Sequence, residues 1–168
     1  GQTVVILGYG AIGRRLAHLL SPFGMRVMAL RRRKESDGAV TLIRDGELPR
    51  ALAEADHVIN VLPDSASTWR FVDESRLSCF KRGARFYNIG RGTTVDQDAL
   101  IRALDSGRLG AAYLDVMDPE PLPPENPLWK ASNCFITAPP LAFGPYTGSG
   151  GQLTGTSDLS VRCTSGSG

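Results

Sequence analysis

The sequence has few cysteines, no long apolar run and little net charge. Its 168 residues include three widely spaced cysteines, Cys79, Cys134 and Cys163. Without a Cys-x-x-Cys pair they predict neither a disulfide framework nor a zinc site, but reduced thiols in a cytoplasmic protein. No apolar run reaches the ~20 residues that cross a bilayer, and no signal peptide precedes the first one. A formal net charge of +2 implies no general attraction to nucleic acids or membranes.

The length and the composition fit one ordinary globular domain. Hydrophobic residues make up 42% of the chain and charged residues 21%, as in typical soluble proteins. A chain of 168 residues can form one core but is too short for two good ones. Because the sequence begins with Gly1-Gln2 and not with Met, we expect a piece of a longer protein.

Strand-like apolar runs alternate with helical patterns along most of the chain. Strands are predicted over Thr3–Leu7, Arg26–Leu30, Val40–Ile43, His57–Val61, Arg85–Ile89, Ala111–Val116 and Phe135–Thr137. Helices are predicted over Ala11–Phe23, Glu47–Ala55, Asp73–Phe80 and Asp96–Asp105, the last with Asp96 as N-cap and Gly107 past its end. In the first helix the apolar residues share one face: Ile12, Leu16, Leu19, Leu20 and Phe23. This alternation predicts an α/β fold, a doubly wound parallel sheet between two layers of helices.

The composition changes near residue 143. Residues 144–168 are mostly Gly, Ser and Thr, and Leu153, Leu159 and Val161 are too sparse to form a core. We therefore expect a folded domain over residues 1–143, followed by a disordered tail.

A G-x-G-x-x-G pattern, Gly8-Tyr9-Gly10-Ala11-Ile12-Gly13, follows the first predicted strand and opens the first helix. In that context Gly8 permits a tight turn, Gly10 lets a pyrophosphate approach the backbone, and Gly13 lets helix and strand pack closely. The pyrophosphate then lies on free N–H groups at the positive end of the helix. The pattern predicts a Rossmann-type dinucleotide-binding fold. A purely structural turn and a methyltransferase cofactor loop are the alternatives.

Basic residues end the second predicted strand, in the run Arg31-Arg32-Arg33-Lys34. NAD-binding domains usually place Asp or Glu there to bind the ribose 2′-hydroxyl. A carboxylate would repel a 2′-phosphate, whereas guanidinium groups bind it through charge-assisted hydrogen bonds. Arg31 and Arg32 therefore favour NADP(H) over NAD(H); the alternative is a solvated basic turn with no ligand.

Further candidate residues follow the later strands, at the edge where ligands bind in open α/β sheets. Leu62-Pro63 closes one strand, with Thr68 in the loop beyond it. The run Asn88-Ile89-Gly90-Arg91-Gly92 closes the next strand, Asp115 lies in the run that closes the sixth, and Glu120 follows it. We expect these residues to converge on the same rim of the sheet as the glycine loop.

Several of these segments, in this order, resemble the D-2-hydroxyacid dehydrogenase family over about residues 1–138. The resemblance rests on GYGAIG, the loop Leu62–Thr68, NIGRGTTVDQDAL, GAAYLDVMDPEPLP and the NPLW of Asn126–Trp129. It implies the coenzyme domain of an oxidoreductase that passes hydride between a nicotinamide and a small 2-oxo or 2-hydroxy acid, such as glyoxylate or hydroxypyruvate. It also allows a homodimer, because the family's dimer contacts largely involve this domain.

The resemblance implies roles for individual residues. Asp115 would hold the nicotinamide carboxamide, Arg91 would grip the substrate carboxylate or carbonyl, and Glu120 would orient a catalytic histidine and raise its pKa. The remaining coenzyme contacts would come from Gly8, Tyr9, Gly10, Ala11, Ile12 and Gly13 at the pyrophosphate, Arg31 and Arg32 at the adenosine ribose, and Leu62, Pro63, Thr68, Ile89, Gly90 and Arg91 along the cofactor.

The catalytic histidine that the resemblance requires is missing. The chain runs Thr137-Ala138-Pro139-Pro140, so Pro139 stands where the acid–base residue belongs. His18 lies within the first predicted helix, and His57 begins a strand at the end of the sheet away from the cofactor, so neither replaces it. We also expect these residues to contain no substrate domain of the family. A reading-frame error or an abnormal terminus beginning near Ala138 is one explanation.

Two functions remain open at this point. The first is a fragment of an oxidoreductase whose complete form reduces a small 2-oxo acid with NAD(P)H. The second is a cofactor-binding sensor or interaction module without turnover. Arg91 and Glu120 indicate that the ancestor of this chain was an oxidoreductase, because a protein that only binds the cofactor has little use for these residues. The missing histidine favours the second for this chain.

Overall fold

A computed structural model describes residues 1–31 and 40–137. The strands in these ranges are β1 (Thr3–Leu7), β2 (Arg26–Leu30), β3 (Thr41–Ile43), β4 (His57–Asn60), β5 (Ala84–Asn88), β6 (Leu109–Leu114) and β7 (Cys134–Ile136). The α-helices are α1 (Ala11–Leu20), α2 (Leu48–Glu54), α3 (Glu74–Ser78) and α4 (Gln97–Asp105).

The strands form one sheet in the order β3-β2-β1-β4-β5-β6-β7, and every neighbouring pair is parallel. The chain begins in the middle with β1, builds outward to β3, and then returns to β4 on the other side of β1. The carboxyl ends of all strands therefore share one edge, and the direction of winding reverses between β1 and β4. Ligands bind at such a reversal in open α/β sheets. The predicted doubly wound parallel sheet is confirmed.

Helices cover both faces of the sheet. On one face α2, α3 and α4 pack over the larger core cluster, which includes Leu52, Leu77, Leu100 and Phe86, each at most 1% exposed. On the other face α1 packs over a smaller cluster. All five residues of β1 are buried, as expected of a strand covered on both faces. Burial of each large apolar side chain contributes ~1.5–3 kcal/mol, so this core holds the loops at the carboxyl edge in place.

The structure corrects the prediction for the first helix. The side of α1 that contacts the sheet carries the small residues Gly13 and Ala17, whereas Ile12, Leu19 and Phe23 are 58%, 49% and 72% exposed. Of the apolar face inferred from the spacing, Leu16 and Leu20 are partly buried against the smaller core cluster, whereas Ile12, Leu19 and Phe23 lie toward solvent. The α-helix also ends at Leu20 rather than Phe23, because a 3₁₀ turn with Pro22 in its first turn follows it.

Other predicted boundaries agree to within two residues. Asp96 is the N-cap of α4, where its Oδ1 accepts a hydrogen bond from the backbone N–H of Ala99 at 3.1 Å. The expectations for Arg32, Pro139 and the tail lie outside the described residues. Of the helices that are described, none is long and apolar enough to cross a membrane.

Candidate functional site

The glycine loop connects β1 directly to α1. Gly8 has a positive φ of 105°, and a Cβ at Gly13 would lie 2.3 Å from the carbonyl oxygen of Gly8, so helix and loop can pack this closely only with glycine. A Cβ at Gly10 would have no atom within 4 Å, which leaves open space above the loop. Gly10 is the N-cap of α1 and makes no side-chain cap. The N–H groups of the first turn, from Ala11 to Gly13, therefore have no partner within the helix and can receive an anion.

A cleft of about 1160 Å³ lies beside this loop. It separates the ends of β2 and β3 from the loop that follows β4. The cleft brings together seven of the residues predicted to contact the coenzyme: Gly8, Tyr9, Gly10, Arg31, Leu62, Pro63 and Thr68. Ala11, Ile12 and Gly13 continue from the same loop into α1.

The loop that forms one wall of the cleft is held by its own hydrogen bonds. Thr68 is only 3% exposed, and its Oγ1 donates to the carbonyl oxygen of Pro63 at 2.6 Å and lies 2.7 Å from the Oγ of Ser65. The Thr68 hydroxyl therefore shapes the wall. Beyond it Trp69 is 59% exposed, with the guanidinium of Arg70 4.9 Å from its ring centre.

More arginines than acids line the cleft, and of these arginines the sequence motifs predicted only Arg31. Five arginines and two aspartates line it: Arg14, Arg31, Arg44, Arg70, Arg76, Asp45 and Asp73. Arg76 lies 3.4 Å from Asp45 and 3.5 Å from Asp73, so one guanidinium contacts both acids. Arg70 lies 3.5 Å from Asp96, which is outside the lining. The lining itself still carries more arginines than aspartates, and a positive surface of this kind attracts an anionic ligand.

A buried polar network joins the carboxyl ends of β4 and β5. Asn60 and Asn88 are paired in register, and the Nδ2 of Asn60 donates to the Oδ1 of Asn88 at 2.9 Å and to the Oγ1 of Thr94 at 2.7 Å. The Oδ1 of Asn60 accepts from the backbone N–H of Leu62 at 3.2 Å. All three network side chains are at most 1% exposed. The sequence motifs predict no role for Asn60 or Thr94.

This network also holds the backbone at Arg91. The carbonyl oxygen of Arg91 accepts from the Oγ1 of Thr94 at 2.6 Å and from the Nδ2 of Asn88 at 3.2 Å. A Cβ at Gly92 would lie 1.8 Å from the carbonyl oxygen of Met117, so the loops after β5 and β6 touch here. The Arg91 side chain is exposed, its Nη1 donates to the carbonyl oxygen of Gly90 at 2.7 Å, and it makes no ion pair with any described residue. It can therefore bind an anion.

The two predicted acids lie in the loop after β6, on the same edge but outside the lining of the cleft. Asp115 accepts at Oδ1 from the hydroxyl of Thr137 at 2.7 Å, a contact that the sequence did not reveal. Glu120 accepts at Oε1 from the backbone N–H of Met117 at 2.8 Å. Both residues are exposed, so each carboxylate keeps a second oxygen available to a ligand.

The histidines lie away from this edge, as predicted. His57 begins β4 at the amino edge of the sheet, where its Nδ1 is 3.0 Å from the Tyr87 hydroxyl and its Nε2 is 3.1 Å from the Oε1 of Gln2. Partial burial lowers the pKa of His57. His18 is exposed on α1. In the described part of the chain, no group of three or more His, Cys, Asp or Glu side chains could hold a metal ion.

Comparison with known proteins identifies the family. Residues 1–139 match the family model described as D-isomer specific 2-hydroxyacid dehydrogenase, NAD binding domain. The solved D-isomer specific 2-hydroxyacid dehydrogenase from Xanthobacter autotrophicus Py2, in complex with NADPH and MES, is 37% identical, with a TM-score of 0.78 over 84% of this chain and 45% of that one. The NADPH-dependent glyoxylate/hydroxypyruvate reductase from Sinorhizobium meliloti, in complex with NADP and sulfate, is 30% identical, with a TM-score of 0.76 over 80% of this chain and 44% of that one.

A curated relative matches a similar length of the chain. It is described as an uncharacterized protein in the proB 3′ region of Corynebacterium melassecola, and it is 38% identical over 137 residues, which are 81% of this chain and 45% of the relative. The chain thus spans a little less than half the length of the relatives that it matches. It belongs to the D-isomer specific 2-hydroxyacid dehydrogenase family and contains that family's NAD-binding domain.

Proposed function

We propose that this domain binds NADP(H) in preference to NAD(H), across the carboxyl edge of its sheet. The observation that carries the proposal is Arg31, which follows β2 and lines the cleft at the position where a carboxylate would select the ribose 2′-hydroxyl. A guanidinium there attracts a 2′-phosphate. The Xanthobacter and Sinorhizobium relatives, solved with NADPH and NADP, support this choice. Arg32 is part of the same proposal.

The residues of this edge fit the parts of such a coenzyme. The open space above Gly10 and the free N–H groups of α1 suit the pyrophosphate. Leu62, Pro63 and the loop closed by Thr68 would line the adenosine half, and Ile89 and Gly90 would lie along the nicotinamide half. Asp115, oriented by Thr137, would accept from the carboxamide through its remaining oxygen.

We further propose that the complete protein reduces a small 2-oxo acid. The bound nicotinamide supplies the hydride in this chemistry. Arg91, held by the Asn88–Thr94 network, would bind the carboxylate or the carbonyl of the acid. Glu120, fixed at one oxygen by the Met117 N–H, would orient the proton donor with its other oxygen.

For this chain taken alone, the sequence supports a second function: coenzyme binding without useful turnover. Pro139 stands where the family resemblance requires the histidine, and proline has no proton to give to the developing alkoxide. A positioned general acid contributes ~10²–10⁴-fold. A sensor or interaction module would keep the coenzyme cleft and dispense with this residue.

The coenzyme proposal is tested by titrating NADPH and NADH, followed by nicotinamide fluorescence. We expect NADPH to bind at least ~10-fold more tightly, which corresponds to about 1.4 kcal/mol. Arg31→Asp should reverse this order, whereas Arg50→Asp, on an 89% exposed side chain outside the cleft, should not. Equal affinities in the unmodified chain would contradict the proposal.

Turnover separates the two functions. NADPH oxidation is followed with glyoxylate, hydroxypyruvate and pyruvate at high protein concentration. We expect rates well below ~1 s⁻¹, the lower end of typical enzymes. A rate at or above that value would show that another group delivers the proton, and it would rule out the silent binding module.

A further inference from the structure

We propose that Arg44, which no motif identifies, is a second determinant of coenzyme choice and binds the 2′-phosphate of NADP(H) together with Arg31. This inference rests on the coenzyme preference proposed above and names a residue that selects for it. It starts from the positions of the two arginines on neighbouring strands.

Arg31 and Arg44 occupy equivalent positions at the ends of β2 and β3. The last residues of these strands, Leu30 and Ile43, are paired in register, and the backbone N–H of Arg31 donates to the carbonyl oxygen of Ile43 at 3.2 Å. Arg31 and Arg44 are therefore the next residues along two strands that lie ~4.8 Å apart. Both line the cleft.

Of the acids that the structure describes near Arg44, none forms an ion pair with its guanidinium. The Oε2 of Glu47 accepts from the backbone N–H of Arg44 at 2.9 Å, so that carboxylate caps the following turn. The Oδ1 of Asp45 lies 3.4 Å from Arg76. The exposed Arg44 side chain forms no ion pair with any described residue. A cationic side chain with no counter-ion among the described residues, beside a second cation in a cleft, favours an anionic ligand.

The order of the strands indicates which anion Arg44 meets. The pyrophosphate site lies at the end of β1, whereas β3 is separated from β1 by β2, a distance of ~10 Å at the usual strand spacing. Arg44 therefore lies beyond Arg31 as seen from the glycine loop. That position suits a group on the far side of the adenosine ribose and not the pyrophosphate itself. The 2′-phosphate is the anionic group of NADP(H) at that end.

A guanidinium in this place could act in another way, by stacking on the adenine ring. Stacking would strengthen the binding of NADH and NADPH equally, because both carry adenine. A contact with the 2′-phosphate strengthens only the binding of NADPH. The fragments 5′-AMP and 2′,5′-ADP both carry adenine, and only 2′,5′-ADP carries the 2′-phosphate. Because they lack the nicotinamide half, their affinities separate stacking on adenine from binding of the 2′-phosphate.

The test measures the affinities of 2′,5′-ADP, 5′-AMP, NADPH and NADH for the unmodified chain, Arg44→Ala and the matched control Arg50→Ala. We expect Arg44→Ala to weaken 2′,5′-ADP and NADPH about tenfold, the effect of losing one charge-assisted contact, and to leave 5′-AMP and NADH within twofold. The control should change none of the four. The thermal midpoint of each variant checks that it is folded.

Two results would overturn the inference: an equal loss for 5′-AMP and 2′,5′-ADP, or no loss for either. If the unmodified chain prefers NADPH and Arg44→Ala keeps that preference unchanged, the role of Arg44 fails and the coenzyme proposal survives. If the unmodified chain shows no preference, both fail.

Discussion

Removal of the Asn88 side chain tests how the carboxyl edge is held together. This side chain accepts from the Nδ2 of Asn60 at 2.9 Å and from the backbone N–H of Gly90 at 3.3 Å. It donates to the carbonyl oxygens of Arg91 at 3.2 Å and Val116 at 3.5 Å. It therefore connects β4, β5 and the loop after β6 at one buried point, and Asn88→Ala should loosen all three.

The expected loss follows from the groups left without a partner. In Asn88→Ala the Gly90 N–H and the Val116 carbonyl lose their side-chain partner, whereas Asn60 and Arg91 each keep a hydrogen bond to Thr94. A buried polar group left unsatisfied costs ~1–3 kcal/mol. Since the bonds to these two groups are long, at 3.3 and 3.5 Å, each loss should fall below the upper limit, and we expect Asn88→Ala to lower the free energy of unfolding by about 3 kcal/mol.

Thr94→Val is the matched comparison, because valine keeps the shape and removes only the hydroxyl. Asn60 and Arg91 then keep their bonds to Asn88, so no group is left alone and the loss should be ~1 kcal/mol. In the double variant both lose their last side-chain partner. Its loss should exceed the sum of the single losses by ~1 kcal/mol or more.

Urea unfolding followed by far-ultraviolet circular dichroism gives these free energies, provided that the denaturant slope stays constant. The reasoning would be refuted if Thr94→Val cost as much as Asn88→Ala. It would also be refuted if the double variant were additive within ~0.5 kcal/mol, because the two side chains would then not share partners.

Three further outcomes follow from other parts of the structure. Gly92→Ala should destabilise the chain by ~1–3 kcal/mol, since its Cβ would lie 1.8 Å from the backbone carbonyl oxygen of Met117. The control Gly46→Ala should be nearly neutral in the same unfolding assay, because no atom lies within 4 Å of its Cβ. Equal effects of the two substitutions would contradict the packing of the loops after β5 and β6. Hydrogen bonds from Lys81 and from the backbone of Thr3 hold the pKa of Asp56 below its usual value. The ionised Asp56 carboxylate therefore stabilises the folded chain above pH ~4, and this contribution is lost as the pH falls further. Asp56→Asn should therefore flatten the acid limb of stability against pH, and an unchanged limb would refute this. Burial raises the pKa of Cys134 to about 12, so iodoacetamide at pH 8 should modify it in urea but not in the folded chain; mass spectrometry showing equal labelling in both states would contradict the burial.

The strands could be predicted closely because each apolar run has a clear end. The predicted bounds of β1 and β2 match the structure, since a glycine, Gly8, follows the first run and a charged residue, Arg31, follows the second. The predictions for β4 and β5 extended one residue too far, to Val61 and Ile89. These residues are apolar but already lie in the loops of the carboxyl edge, so hydropathy alone does not mark the strand end.

The side of α1 that faces the sheet could be predicted only in part from its apolar spacing. Leu16 and Leu20 of the predicted face pack against the core, but periodicity did not show that Ile12, Leu19 and Phe23 lie toward solvent. Close packing required small residues, and Gly13 and Ala17 met that requirement.

The parts of the site that motifs missed depend on contacts between distant positions. Asn60 reaches Asn88 and Thr94 across 28 and 34 positions of the chain, and Thr137 reaches Asp115 across 22. Arg44 lines the cleft only because β3 pairs with β2. No local pattern indicates such neighbours, whereas the glycine pattern lies in six consecutive residues, Gly8–Gly13, and can be recognised from the sequence.

The most direct test of coenzyme binding at the carboxyl edge is a titration of the isotope-labelled chain with NADPH, followed by backbone amide chemical shifts. We predict saturable shifts at that edge, in Gly8–Gly13, Arg31, Leu62–Thr68, Gly90–Arg91 and Asp115. Residues at the amino edge, such as His57 and Gly83, should keep their shifts. Saturable shifts at the amino edge with none in the glycine loop, or no saturable shifts at millimolar NADPH, would contradict the account.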